Sequence, residues 1–322
     1  MNKLLVKQIM QDINDSSLRR LEMESVFLKP LRSNWKPIPF SEENFTAISS
    51  KTADKTLIFI DGGNAEIVKT ADYSLQFIRI TAVWFNGREK VFQRRKEGYV
   101  LVKSQLIDNK MCFATHCYGG LTGSEELCVS ADDLNRDEVP IMQIGNIFRA
   151  LQEIKFAKEV FTDNSVIVLD RSLIPENEYE EKAFKDLKGI VCGLNKTTSL
   201  LCNNGESVVS VLQSYGRRGC WVYNNVFSNY NMDFVKLHSK SKYLFRFEIN
   251  NNDGLQDVAS WLCSLSNDAV FLGYPYGLIV ADSFARVSNR EKEYLQTMFS
   301  ALSGKEFAVE ALNAHSVLDN IG

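Results

Sequence analysis

The sequence predicts an α/β protein whose mixed sheet is flanked by helices. Three observations carry this. Two apolar runs, Leu57-Ile58-Phe59-Ile60 and Val166-Ile167-Val168-Leu169, each lead into an aspartate, Asp61 and Asp170. Branched apolar runs of this length read as strands buried on both faces. Three strand-like stretches lie between them, and a helix with one apolar stripe precedes the second run. Strands, then a helix, then a buried strand is the pattern of a layered α/β domain.

Taken in order, residues 1–28 read as helix, with Leu4, Leu5, Ile9, Ile13, Leu18 and Leu21 at helical spacing. A connector over 29–43 carries Pro30, Pro37 and Pro39. The first buried strand, 57–60, is expected to end at Asp61, where the sheet's edge opens to solvent. Gly62 and Gly63 have no side chain and would leave the backbone there open to a ligand or phosphate. Stretches 75–85, 91–103 and 111–118 read as an antiparallel meander. Over 141–161 the stripe Ile144, Ile147, Phe148, Leu151, Ile154, Ala157 and Phe161 predicts a helix, with Pro140 near its start. The second buried strand reaches Asp170. Helix follows over 177–187, then a strand-like 189–194 that leads to Lys196. Strands fit 220–223 and 243–249, and helices fit 254–265 and about 289–302, on either side of 271–286. The expected organisation is an N-terminal helical extension and linker over 1–50, a main domain over 51–305 and a tail over 306–322.

The bulk composition narrows the function classes. At 322 residues, with 45% hydrophobic and 24% charged residues, the chain has ordinary globular values. Its apolar runs fall far short of the roughly 18–20 residues of a membrane span. The start turns polar at once, unlike a secretory or transit leader, so a cytoplasmic protein is expected. Seven cysteines, an odd number with no CxxC pair, fit reduced thiols. In the cluster Cys112, His116, Cys117 and Cys128, alternation puts Cys117 on the face opposite Cys112 and His116, which favours core thiols over zinc. The net charge is −3. A protein that grips nucleic acid unaided carries a basic excess, so contact with DNA would be local or delivered by a partner. Arg94-Arg95-Lys96, Arg217-Arg218 and Lys236-His238-Lys240-Lys242 read as solvated turns.

The element order is the ribonuclease-H-like arrangement, which carries acids on the first strand, on the helix after the meander and at the end of the next strand. Glu153 fits the second place, on the flank of the apolar stripe and seventeen residues before Asp170. Asp61, Glu153 and Asp170 could then converge on Mg²⁺ or Mn²⁺, with two ions serving phosphodiester hydrolysis. Lys196, close after a strand, is a candidate to neutralise developing charge. In Gly273-Tyr274-Pro275, Tyr274 could bond a phosphate oxygen, and Asp282, eight residues on, could be a fourth ligand. A packed Tyr-Pro turn and an N-cap aspartate fit those two residues equally well.

Phe59-Ile60-Asp61-Gly62-Gly63, Glu153, Leu169-Asp170-Arg171-Ser172-Leu173-Ile174, Gly193-Leu194-Asn195-Lys196 and Gly273-Tyr274-Pro275 together resemble the NurA family, in order over about 55–300. The resemblance implies a manganese-dependent DNA nuclease of ribonuclease-H-like fold. Its metal-binding acids would be Asp61, Glu153 and Asp170, and its active-site tyrosine Tyr274. It also implies a homodimer that works with HerA, a hexameric ATP-driven DNA translocase, in break repair or phage defence. The chain's own sequence agrees that a motor must come from elsewhere: Gly120-Leu121-Thr122-Gly123-Ser124 lacks the GK[ST] ending of a phosphate-binding loop. Two departures stand out, Arg171 where the family favours glycine and Asp282 where many members have histidine. Two other readings compete. One is an actin-like phosphotransferase, which would need duplicated halves and a Gly-rich adenosine loop that the sequence lacks. The other is a non-catalytic adaptor of a translocase.

Overall fold

The structure, a computed structural model, describes residues 3–16, 25–70, 72–121, 127–130, 141–196, 200–216, 218–251 and 254–303. The helices are α1 (Lys3–Ser16), α2 (Ile141–Val160), α3 (Glu178–Lys185), α4 (Val208–Tyr215), α5 (Leu255–Ser264), α6 (Tyr276–Ala285) and α7 (Asn289–Ser303). The strands are β1 (Phe45–Ile48), β2 (Thr56–Lys69), β3 (Tyr73–Asn86), β4 (Glu89–Ile107), β5 (Lys110–Gly119), β6 (Cys128–Ser130), β7 (Ser165–Leu169), β8 (Ile190–Asn195), β9 (Cys220–Tyr223), β10 (Asp233–Lys236) and β11 (Phe245–Ile249).

These strands form one sheet in the order β1-β9-β10-β11-β8-β7-β2-β3-β4-β5-β6. Its centre is parallel, β2 beside β7 and β7 beside β8. The predicted meander flanks it, with β2, β3, β4 and β5 running antiparallel in succession. The predicted α/β mixed sheet with flanking helices is therefore what forms.

The central strands alternate between two cores. Ile58, Ile60, Ile167 and Leu169 pack under Ile144, Phe148 and Leu151 of α2. Leu57, Phe59, Val166 and Val168 pack under Val258 and Leu262 of α5 and Leu278 and Ala281 of α6. All eight strand residues are essentially fully buried, which is why both runs read as continuous apolar stretches.

Several expectations need correction. β2 does not stop at Asp61 but continues through both glycines to Lys69. What ends there is the parallel pairing, because β7 stops at Leu169 opposite Ile60. Of the helix expected over 1–28, Lys3–Ser16 is helical, residues 17–24 lie outside the described residues, and Leu28 instead bridges Cys202. The connector is part of the core: Val26, Leu28, Trp35 and Phe40 pack with Trp221, Tyr223 and Phe234, and β1 pairs with β9. Residue 50 is therefore no break in packing. Arg94 and Lys96 are not in a turn; they lie within β4 and pair with Glu159 near the end of α2. Pro140, Arg217 and the tail over 306–322 lie outside the described residues. All seven cysteines are free.

Candidate metal centre

Strand alternation decides which side chains can meet. With a period of two, Asp61 shares the face of Phe59, and Asp170 continues the face of Val168, so both point to the α6 side. Lys196 follows Leu194 on that same side. The backbone locks the two acids in register, because the Asp170 N–H donates to the Ile60 carbonyl at 3.3 Å.

Over this face, Tyr274 stands just before α6 and Asp282 lies inside it, not at an N-cap. Asp61, Asp170 and Asp282 each offer a carboxylate oxygen, and these oxygens lie within 4.8 Å of one another. The Tyr274 hydroxyl donates to Asp170 Oδ1 at 2.7 Å. Lys196 Nζ contacts the other Asp170 oxygen, lies 3.9 Å from Asp282 and sits 5.0 Å over the Tyr274 ring. Asp282 also pairs with the exposed Arg286 at 2.7 Å. Asp61 is only 9% exposed, and its Oδ1 accepts from the Gly62 N–H at 2.8 Å. Among the described residues it has no ion pair.

The electrostatics follow from this crowding. Burial, then Asp170 and Glu153, push the Asp61 carboxyl up to about 8. Burial also raises Asp170, against the pull of Lys196 and the Tyr274 hydrogen bond. Burial and the neighbouring Asp170 raise the Tyr274 phenol, so it stays a donor. Burial works against the charge on Lys196, but Asp170, Asp61 and Asp282 outweigh it and the ammonium is held more tightly. Three carboxylates around one ammonium form a hard-oxygen set of the kind that suits Mg²⁺ or Mn²⁺.

Glu153 is placed differently. It comes from α2, on the opposite face, and is 3% exposed. Its carboxylate contacts Arg149, lies 4.0 Å from Arg171 and is not among the converging oxygens. Burial raises its carboxyl, and the two guanidiniums pull it back. Arg149 also donates to the Gly62 carbonyl at 2.9 Å, and Arg171 pairs with the buried Glu180 at 2.7 Å. The expected opening at the two glycines is filled by protein. A Cβ on Gly62 would lie 2.5 Å from Glu153 Oε1, and one on Gly63 would lie 2.3 Å from the Ala285 carbonyl. These glycines admit the chain itself, not a ligand.

Known proteins bear on this arrangement. Residues 196–287, which include Lys196, Tyr274 and Asp282, match the NurA domain family model. Among solved structures, the NurA nuclease from Sulfolobus solfataricus is similar at a TM-score of 0.55 and 10% identity, over 93% of this chain and 96% of that one. That likeness extends the NurA-type fold well beyond the matched segment, across both central acidic strands. The catalytic domain of human Endonuclease V is similar over 79% of this chain and 91% of its own, at 10% identity and a TM-score of 0.38. A Marinitoga piezophila Argonaute, at 16% identity, covers 74% of this chain and 31% of its own with a TM-score of 0.33. Scores this low carry no argument. No curated protein sequence matches the chain.

The candidate site thus gathers Asp61, Asp170, Lys196, Tyr274 and Asp282 on one face and leaves Glu153 behind the sheet. The sequence reading missed Arg149. Its spacing of four from Glu153 was the available signal, since such pairs meet on a helix. Nothing local to Arg171 announces that it bridges Glu153 and Glu180.

Proposed function

We propose that the chain is a Mn²⁺- or Mg²⁺-dependent deoxyribonuclease that hydrolyses phosphodiester bonds at DNA ends, exonucleolytically and in some settings endonucleolytically. The observation that carries this reading is the convergence of Asp61, Asp170 and Asp282 within 4.8 Å beside Lys196. The NurA domain and the NurA-like fold supply its context.

Asp61 and Asp170 would hold the cations, two by the family resemblance, with Asp282 the nearest further carboxylate. Bound divalent ions supply Lewis-acid activation of water and of phosphate oxygens. Tyr274 holds Asp170 by its 2.7 Å hydrogen bond and so fixes the direction of that carboxylate. Lys196 sits where charge would gather on the phosphate, and its ammonium is preorganised by Asp170. Buried surroundings strengthen each of these interactions.

The net charge of −3 argues against unaided capture of duplex DNA. A homodimer fed by a HerA-type hexameric ATP-driven translocase meets that need, in break repair or in defence against phage, and such a protein works in the cytoplasm. No described helix is long and apolar enough to cross a membrane.

The test is cleavage of end-labelled linear DNA with Mn²⁺, Mg²⁺ or EDTA, for wild type and Asp61→Ala. Metal-dependent cleavage lost in the variant is expected. If wild type stays silent even with a HerA-type partner and ATP, the nuclease reading fails and a non-catalytic adaptor replaces it.

A further inference from the structure

We propose that Cys220 and Cys263 are a peroxide-responsive dithiol, in which Cys220 takes up the oxidant and Cys263 closes a reversible disulfide between β9 and α5.

The fold brings these two residues together from distant parts of the chain. Cys220 opens β9, where it lies opposite Ile48 of β1. Just beyond Ile48, the Lys51 N–H donates to the Ser260 carbonyl of α5 at 3.2 Å, and Cys263 follows one turn later on that helix. Cys263 is 4% exposed within the core under α5, and the half-buried Cys220 packs against that core. The two thiols meet, with Cys263 donating a hydrogen bond to the Cys220 sulfur. Among the described residues, no group of three His, Cys, Asp or Glu ligand atoms converges around them, so the pair reads as a dithiol and not as a zinc site.

Their surroundings divide the labour between the two sulfurs. The bond from Cys263 lowers the Cys220 thiol against the effect of burial, and the Lys236 ammonium and the Ser239 N–H add to it, bringing the thiol down to about 7. Donating that bond holds the Cys263 thiol up, and burial adds to the effect. Elsewhere burial pushes Cys117 up to about 11 and Cys202 up to about 12. Cys220 is therefore largely thiolate at neutral pH, the form that attacks oxidants, and it is partly reachable from solvent.

With hydrogen peroxide the steps balance. The Cys220 thiolate attacks one peroxide oxygen, an S–O bond forms, the O–O bond breaks, and the departing oxygen takes a proton and leaves as water. Cys220 is then a sulfenic acid. Cys263 gives up its proton and attacks that sulfur; the S–S bond forms, the S–O bond breaks, and a second water leaves. Two thiols are oxidised and one peroxide is reduced. The bond clamps the last turn of α5 to β9. The segment that carries Tyr274 hangs from this turn, since the Tyr276 N–H donates to the Leu265 carbonyl at 2.8 Å and the Gly273 N–H to the Ser266 carbonyl at 2.9 Å.

The test treats the full chain with hydrogen peroxide, alkylates the remaining thiols and maps the peptides by mass spectrometry. The expected product is a Cys220–Cys263 cross-link that dithiothreitol removes, with the other five cysteines alkylated. Cys263→Ser should lose the cross-link and leave Cys220 as a sulfenic acid that dimedone traps, whereas Cys220→Ser should leave Cys263 unmodified. Alkylation of Cys220 in the reduced protein should be half-maximal near pH 7, a dependence that a merely packed thiol would not show. The oxidised protein should melt at least ~3 °C above the reduced one, because the bond restricts the unfolded chain. Wild type that forms no such cross-link, a Cys263→Ser variant whose Cys220 resists dimedone, or an oxidised protein that melts lower overturns the assignment. Should either variant fail to fold, the wild-type cross-link decides alone.

Discussion

The two faces of the sheet at Asp61 and Gly62 carry similar numbers of acids but treat them in opposite ways. Behind the sheet, Glu153 and Glu180 are matched by Arg149 and Arg171, carboxylate for guanidinium. In front, Asp61, Asp170 and Asp282 surround Lys196, with Arg286 only at the exposed edge. A buried acid that has its cation is a structural device. A buried group of acids short of cations is a site waiting for charge, and its cost to the fold is borne by the apolar packing around it. The comparison therefore singles out the front face as the candidate site without reference to any relative.

The largest expected effect comes from breaking the front face. Asp170→Asn removes one cation ligand and also the partner of both Lys196 and Tyr274. Metal-dependent cleavage should fall by at least ~100-fold, beyond the upper end for outer contacts to a metal, while the melting temperature holds or rises. Cleavage within a few-fold of wild type would show that the front face is not the working one.

Breaking the back face should do the reverse. Arg171→Leu strands Glu180 and leaves Glu153 with Arg149 alone, both acids being almost fully buried. Removing one partner of a buried ion pair costs about 3–5 kcal/mol, and urea unfolding should report a loss of that order. Mn²⁺ affinity in the protein that remains folded should change little. A neutral effect on stability would mean the back face is not held together by its charges.

A smaller effect tests whether the two faces communicate through Gly62. In Gly62→Ala the new methyl group would meet Glu153 Oε1 and, at 2.7 Å, Ile80 Cδ1. Overpacking of this kind costs about 1–3 kcal/mol. Much of that loss should disappear in a Glu153→Ala background, and a double-mutant cycle on unfolding free energy measures the coupling. Additive effects would deny the contact.

How much of this could be read in the sequence follows from the same alternation. The two apolar runs, the meander, α2 and the positions of Asp61 and Asp170 were legible, because burial on both faces leaves an unbroken hydrophobic signal. The continuation of β2 through Gly62 and Gly63 was not, since paired glycines read as a break and only the packing of Glu153 and Ala285 against them explains their place. β1, β10 and α4 are short, and what holds β1 and α4 is distant: residues 25–45 pack onto β9 and α4 across more than 150 positions of sequence. Glu153 was expected on the flank of the α2 stripe as a metal-binding acid, and its burial was not foreseen. Which face it served depended on Arg149 and Arg171, one in α2 and one after β7, and their meeting is a tertiary fact.

Asp233 offers the finest test, because it is a buried acid that belongs to neither face. It lies on β10, is 5% exposed, and burial followed by the nearby Glu248 pushes its carboxyl from 3.8 up to about 7. Glu248 has Arg246 at 2.9 Å and accepts from the Ser172 hydroxyl and the Leu173 N–H, but Asp233 has no ion pair among the described residues. A carboxyl whose pKa is higher folded than unfolded favours the fold while it stays protonated. That contribution is full below about pH 3.8 and is lost as the pH rises through 7. Wild type should therefore lose stability relative to Asp233→Asn between about pH 4 and pH 8, with the two curves running parallel above that range. Melting temperatures across pH 4–9 in EDTA measure the difference. Added Mg²⁺ should leave the Asp233 difference unchanged, because one isolated carboxylate does not make a cation site, whereas it should raise the stability of wild type and Asp233→Asn alike through the aspartates in front. If Mg²⁺ abolished the Asp233 difference, an acid merely short of a partner would behave like the convergent three, and the distinction between the faces would rest on geometry alone.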